Sequence, residues 1–288
     1  MKRFFYRILC GFFLGISALA PGFSGSLMAI TMGIYQDLVK IISNPLKELR
    51  KNMGFFAPIA VGILISVVVF VLVFEALFQT HIRATLLLFV GLIAGNLPVI
   101  LREVQKFKFQ KRFLIGGFLT FAIALGINLI GLLFGQSAGG EVTGNALFIE
   151  LAVSGFVAGA ITLVPGMSIS AILIMLGVYG HLMVMAGSLL RLDMTYLLPL
   201  LGVLLFALAG LILTSRGIKR LFERFPGIAN SCVMGFMAGT MIGIIIESFH
   251  AQDPNFRWIF GALAVIAGLG VSYLFVILGK KVSKRADG

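Results

Sequence analysis

Two short stretches of this sequence carry residue types that could hold an anion: Pro21-Gly22-Phe23-Ser24-Gly25-Ser26 and Pro165-Gly166-Met167-Ser168-Ile169-Ser170. Proline removes a helical hydrogen bond and glycine permits a chain reversal, so each stretch reads as a break within an apolar helix. A serine after the break can cap the half-helix that follows. The first N–H groups of that half-helix lack intrahelical partners, and the helix macrodipole adds partial positive charge there. A phosphate or carboxylate could then be held without a buried lysine. The donors would be Gly22, Ser24, Gly25 and Ser26 at one break, and Gly166, Ser168 and Ser170 at the other. A plainer reading is that small residues at a hairpin tip let helices approach closely. Recurrence of the stretch favours the anion site.

The recurrence extends well beyond the serines. Residues 11–35 match residues 155–179 at 11 of 25 positions, at an offset of 144, half of the 288-residue chain. The same offset pairs Gly91 and Gly95 with Gly235 and Gly239, and this spacing of small residues is that of helix packing in membranes. One unit is written twice. Residues 1–20 have the basic start and small-residue end of a secretory signal, but their repetition in mid-chain marks them as mature structure.

These breaks must be positioned by elements that water cannot solvate. The chain is 59% hydrophobic and only 12% charged, whereas a soluble domain is about a quarter charged. Its charges fall between apolar runs of membrane-spanning length. Each unit opens with a charge-free run of 29 or 30 residues, about 43 to 45 Å as a straight helix against a hydrocarbon core of about 30 Å. With a Pro-Gly break at its middle, this run suits a re-entrant hairpin. The expected fold is an all-α polytopic membrane protein built as an inverted-topology repeat, each half a re-entrant helix hairpin plus three transmembrane helices. Residues 1–144 hold a hairpin over 8–39 and spans over 53–74, 84–101 and 113–135. Residues 145–288 hold a hairpin over 147–187 and spans over 195–215, 225–246 and 258–279.

Charge supports this topology, because cytoplasmic loops collect Lys and Arg. Three crossings per unit place all but Arg83, Arg191 and Arg257 of the 23 Lys and Arg residues on the side of both termini, the cytoplasmic one. A single kinked crossing in place of the hairpin would divide them almost evenly. Two complete crossings would give the same tally as a hairpin. The net charge of +12 thus reports topology, and no contiguous basic face with interleaved aromatics exists to bind nucleic acid.

Inverted repeats with broken helices are typical of secondary transporters, whose substrate sits near the bilayer midplane. Arg191 and Lys47 are related by the repeat offset and follow a hairpin on opposite sides. They could gate a phosphate at the two faces, or simply snorkel to the interface. On the gating view their charge matters more than their shape. Glu103 and Glu247, also one offset apart, and His181 are candidates for proton or ion coupling, with interfacial placement as the alternative. Cys10 and Cys232 lack the spacing of a disulfide framework or metal site. No catalytic constellation, nucleotide loop or metal-ligand spacing appears, so neither cofactor nor metal is expected.

The segments from Gly15 to Tyr35 and from Gly159 to Tyr179 resemble the paired Pro-Gly-x-Ser-Gly motifs of bacterial polyprenyl-phosphate translocases, along the whole chain. The chain departs from the family pattern at Ala18, Ser26-Leu27 and Ile169. The resemblance implies a multi-pass protein of the bacterial plasma membrane that returns undecaprenyl phosphate, a lipid carrier, from the outer to the inner leaflet by alternating access. The head group would sit at the hairpin tips. The residues by themselves leave two other classes open: a transporter of small soluble anions, and a membrane-embedded phosphatase or transferase.

Overall fold

A computed structural model of the protein describes residues 2–20, 28–29, 32–34, 37–38, 51–107, 110–133, 145–162, 164, 169–254 and 256–286. Among these residues the only regular structure is helical. In chain order the helices are α1 (Lys2–Leu19), α2 (Met53–Thr80), α3 (Ile82–Gln105), α4 (Lys111–Leu133), α5 (Asn145–Ile161), α6 (Ile169–Met175), α7 (Tyr179–Leu190), α8 (Leu197–Arg224), α9 (Pro226–His250) and α10 (Trp258–Ala286), with a 3₁₀ turn over Met194–Tyr196. Among the described residues, five stretches are long and apolar enough to cross a membrane: Met53–Thr80, Ile82–Gln105, Lys111–Leu129, Met194–Arg224 and Pro226–His250. The sixth expected span falls in α10, whose apolar part is Trp258–Leu274. Lipid-facing composition explains the many exposed apolar side chains, such as Leu64, Phe118, Leu198 and Ile266.

The helices overrun the apolar blocks at several ends. α2 continues past Phe74 to Thr80 and takes in Glu75, while α8 continues to Arg224. A charged side chain does not interrupt the i to i−4 ladder; long basic ones reach the interface on their aliphatic stems, and cations suit a helix C-terminus. Pro58 lies inside α2 and cannot donate to the carbonyl of Gly54. Arg7 of α1 supplies the missing donor, Nη1 to Gly54 O at 2.8 Å, with its guanidinium 5.0 Å from the centre of the Phe55 ring. One side chain thus satisfies that carbonyl and ties α1 to α2.

Packing is dominated by four helix pairs, α1 with α2, α5 with α8, α3 with α10 and α4 with α9, while α3 and α9 also pack on each other. Glycines line the contacts. A Cβ on Gly11 would run into the Ile59 backbone, and one on Gly155 into the Val203 backbone. Gly91 faces Val265 and Gly95 faces Ser272, whereas Gly235 faces Gly117 and Gly239 faces Phe121. The expected packing role of these GxxxG pairs is what the structure has. Without hydrophobic attraction between helices in lipid, such close backbone approach is what holds them together.

The offset of 144 recurs in this geometry. α2 and α8 span equivalent residues, as do the starts of α3 and α9. Gly33 and Gly177 have φ of 68° and 74°, the left-handed conformation that glycine adopts freely at a helix C-terminus. Around them Ile34 N bonds to Ala29 O and Val178 N to Leu173 O, each at 3.0 Å, and Leu38 N bonds to Ile34 O as Leu182 N does to Val178 O.

Candidate functional site

α1 stops at Leu19, two residues before Pro21, and α5 stops at Ile161, with turn bonds from Thr162 N to Gly159 O and Val164 N to Ile161 O. The chain is helical again at Ile169. The expected donors Gly22, Ser24, Gly25, Ser26, Gly166 and Ser168, and the cation Lys47, lie outside the described residues. Ser170, Arg191, Glu103, Glu247 and His181 lie within them.

The last carbonyls of a helix have no intrahelical partner, and that of Leu19 is met by the other half of the chain. Ser170, 2% exposed on α6, donates its Oγ proton to Leu19 O in a short hydrogen bond. The Tyr179 hydroxyl at the start of α7 donates to the same oxygen at 3.2 Å. The helix entering the first Pro-Gly break and the helix leaving the second are therefore in direct contact. The single hydroxyl proton of Ser170 is committed to Leu19, so Ser170 could donate to a phosphate only by exchanging that carbonyl.

Tyr179 is buried in a ring cluster that joins three helices. Its ring centre is 5.6 Å from Phe78 of α2 and 5.7 Å, edge to face, from Phe89 of α3. Phe74 stacks on Phe89 at 5.3 Å and on Phe70 at 4.0 Å. Aromatic pairs at such separations add about 0.5–1.5 kcal/mol each beyond their burial. The cluster fixes the start of α7 against the first half of the chain.

The far end of α7 is fixed by charge. Arg191 grips Glu75 of α2 in a two-pronged ion pair, Nη1 to Oε1 at 3.0 Å and Nη2 to Oε2 at 2.8 Å. The two side chains differ sharply in environment: Glu75 is 2% exposed and Arg191 is 61% exposed. Gly187 makes room for the carboxylate, since a Cβ there would lie 2.6 Å from Cδ of Glu75. Glu75 is absent from the set expected from sequence. The signal was available: it is the sole charged residue of the 28-residue α2, and an ionisable side chain within a span marks a functional site by default.

The remaining candidates do not gather at this place. Glu103 pairs with Lys106 at 2.6 Å, both well exposed, near the end of α3. Glu247 is buried in α9, 4% exposed. His181 on α7 lies within electrostatic reach of Glu150 on α5. Past Arg191, Asp193 accepts from Thr195 N at 3.0 Å and Thr195 Oγ1 at 2.6 Å, opening the turn that leads into α8. Those two bonds hold its carboxyl below the usual carboxylate range. Among the described residues, no group of three or more His, Cys, Asp or Glu could hold a metal ion. What the arrangement can do is present an exposed guanidinium, backed by a buried carboxylate, at the C-terminal end of α7.

The VCA0040-like family model, described as undecaprenyl phosphate translocase-like, matches residues 14–253. The chain is 29% identical over 278 residues to a polyprenyl-phosphate transporter of Staphylococcus aureus, covering 94% of this chain and 96% of that protein. It is 27% identical over 247 residues to a polyprenyl-phosphate transporter of Vibrio cholerae, covering 81% and 75%. No solved structure matches it significantly.

Proposed function

The chain belongs to the undecaprenyl phosphate translocase-like family, and from that premise we propose that it carries polyprenyl phosphate across the bilayer. It is a transporter rather than an enzyme, with undecaprenyl phosphate moving from the outer to the inner leaflet of the bacterial plasma membrane. A phosphate monoester carries about −1.5 to −2 charges near pH 7, and an isolated ion in hydrocarbon costs tens of kcal/mol. The task is to shelter the head group while the isoprenoid tail stays in lipid.

The observation that carries this reading is the hydrogen bond from Ser170 to Leu19, which joins the helix entering the first Pro-Gly break to the helix leaving the second and supports a single head-group site beside that contact. Two facts support a structural repeat around it, whose inversion rests on the charge distribution: the turns at Gly33 and Gly177 share φ and hydrogen bonds at an offset of 144, and helix pairs α1–α2 and α5–α8 are equivalent at that offset. On this reading each half contributes a re-entrant hairpin and three spans, and both termini are cytoplasmic. Ser24, Ser168 and nearby backbone N–H groups hold the phosphate. Arg191 receives it on the outer side and Lys47 releases it on the inner side, as the halves rock to expose the site to each leaflet.

The test is a flipping assay in proteoliposomes. Labelled polyprenyl phosphate should equilibrate between leaflets only when the protein is present, with its phosphate ester intact. Uptake of soluble phosphate in place of lipid flipping would indicate an anion carrier, and release of inorganic phosphate would indicate a phosphatase.

A further inference from the structure

A guanidinium has five N–H donors and two edges that can each take an anion bidentately. Glu75 occupies the terminal edge of Arg191, through Nη1 and Nη2. Among the described residues, the Nε–H and the second proton of each terminal nitrogen have no acceptor. The Arg191 side chain is exposed as a whole, while Glu75 is buried against Gly187 of α7. We propose that Glu75 is a positioning residue: it clamps Arg191 by one edge so that the other is presented, preoriented, to the phosphate of the lipid. The inference rests on the transport reading above.

The surroundings of the pair fit a clamp. The pair joins the C-terminal end of α7 to α2, and Glu75 is five residues, about 7.5 Å along α2, from Thr80 at its end. Beyond Arg191 the chain turns at Leu192 with φ of 66° and Asp193 N bonds back to Ser188 O at 3.0 Å, a left-handed turn at a residue other than glycine, and such local strain persists where the surroundings fix it. An unclamped arginine at a membrane interface samples many rotamers and must give them up on binding; a clamped one has already done so. The fork also changes the expectation that charge outranks shape at this position. Lysine has no second edge, so shape should decide.

The test measures binding of polyprenyl monophosphate by the full-length protein in lipid nanodiscs, for the unaltered protein and for Glu75→Gln, Arg191→Gln, the double variant and Arg191→Lys. Loss of the ion pair's hold on the arginine should weaken binding by about 10-fold or more in Glu75→Gln, and the same substitution should cost nothing further once Arg191 is Gln. Arg191→Lys, which leaves Glu75 with a cation, should fall with Arg191→Gln. If Glu75→Gln binds as well as or better than the unaltered protein, or weakens binding equally with and without Arg191, the clamp is overturned. Should Glu75→Gln fail to fold, Arg191→Lys decides alone, since full binding by that variant overturns the proposal. Absence of lipid binding by the unaltered protein would instead sink the transport reading, and the clamp with it.

Discussion

The shared carbonyl of Leu19 makes a prediction whose signature is non-additivity. Ser170→Ala removes one of its donors and Tyr179→Phe the other, and both substitutions keep the surrounding shape, including the rings of Phe78 and Phe89 on Tyr179. Either change alone leaves the carbonyl satisfied. Hydrogen bonds between membrane helices are worth about 0.6 kcal/mol on average, so each single variant should lose about that much. With both donors gone, the carbonyl has no donor left among the described residues, and an unpaired carbonyl costs about 1–3 kcal/mol in its own right. The double variant should therefore be less stable than the sum of the singles by on the order of 1 kcal/mol. At about 2–4 °C per kcal/mol, thermal unfolding in detergent should show shifts of about 1–2 °C for the singles and about 5 °C for the pair. Strict additivity, or a double variant no worse than either single, would show that Leu19 is not the acceptor joining the two halves.

Three further outcomes are expected. Gly11→Ala sets a Cβ 2.8 Å from the Ile59 carbonyl carbon and should destabilise by about 1–3 kcal/mol, whereas Gly126→Ala, with nothing within 4 Å, should stabilise by up to about 1 kcal/mol; thermal melts of the two should shift in opposite directions. The carboxyl of Asp193 is held below its ordinary value, so its contribution is present above the unfolded carboxylate range and is lost as pH falls through the lower folded value; Asp193→Asn should flatten that part of the acid limb of a stability–pH curve. Single cysteines near Lys47 should react with impermeant reagents only from the cytoplasm and those near Arg191 only from outside, and equal sidedness would contradict an inverted repeat.

What could be read directly from the residues is what depends on local chemistry. Apolar runs between charge clusters gave the helices, because a backbone in lipid has to satisfy its own hydrogen bonds. The spacing of Gly91 with Gly95 and of Gly235 with Gly239 gave packing faces that the structure contains. Pairings across the chain were not legible. Glu75 and Arg191 are 116 residues apart, and Ser170 and Leu19 are 151 apart; nothing in either local sequence names its partner. Glu75 was missed for a related reason: a charge ends an apolar block but not a helix, and Glu75 falls just past the block boundary, within α2. Ser170 illustrates the limit of motif reasoning: its position after the break suggests a donor for substrate, yet a backbone carbonyl of the other half takes its proton.

The most direct test of the central proposal, that the two Pro-Gly stretches together hold a lipid phosphate, is photocrosslinking with a polyprenyl phosphate bearing a reactive group next to its head. The adducts should map to both residues 21–27 and residues 165–170, and unlabelled polyprenyl phosphate should compete them away. Adducts confined to one stretch, or found only on lipid-facing positions such as Leu198 and Ile266, would contradict it.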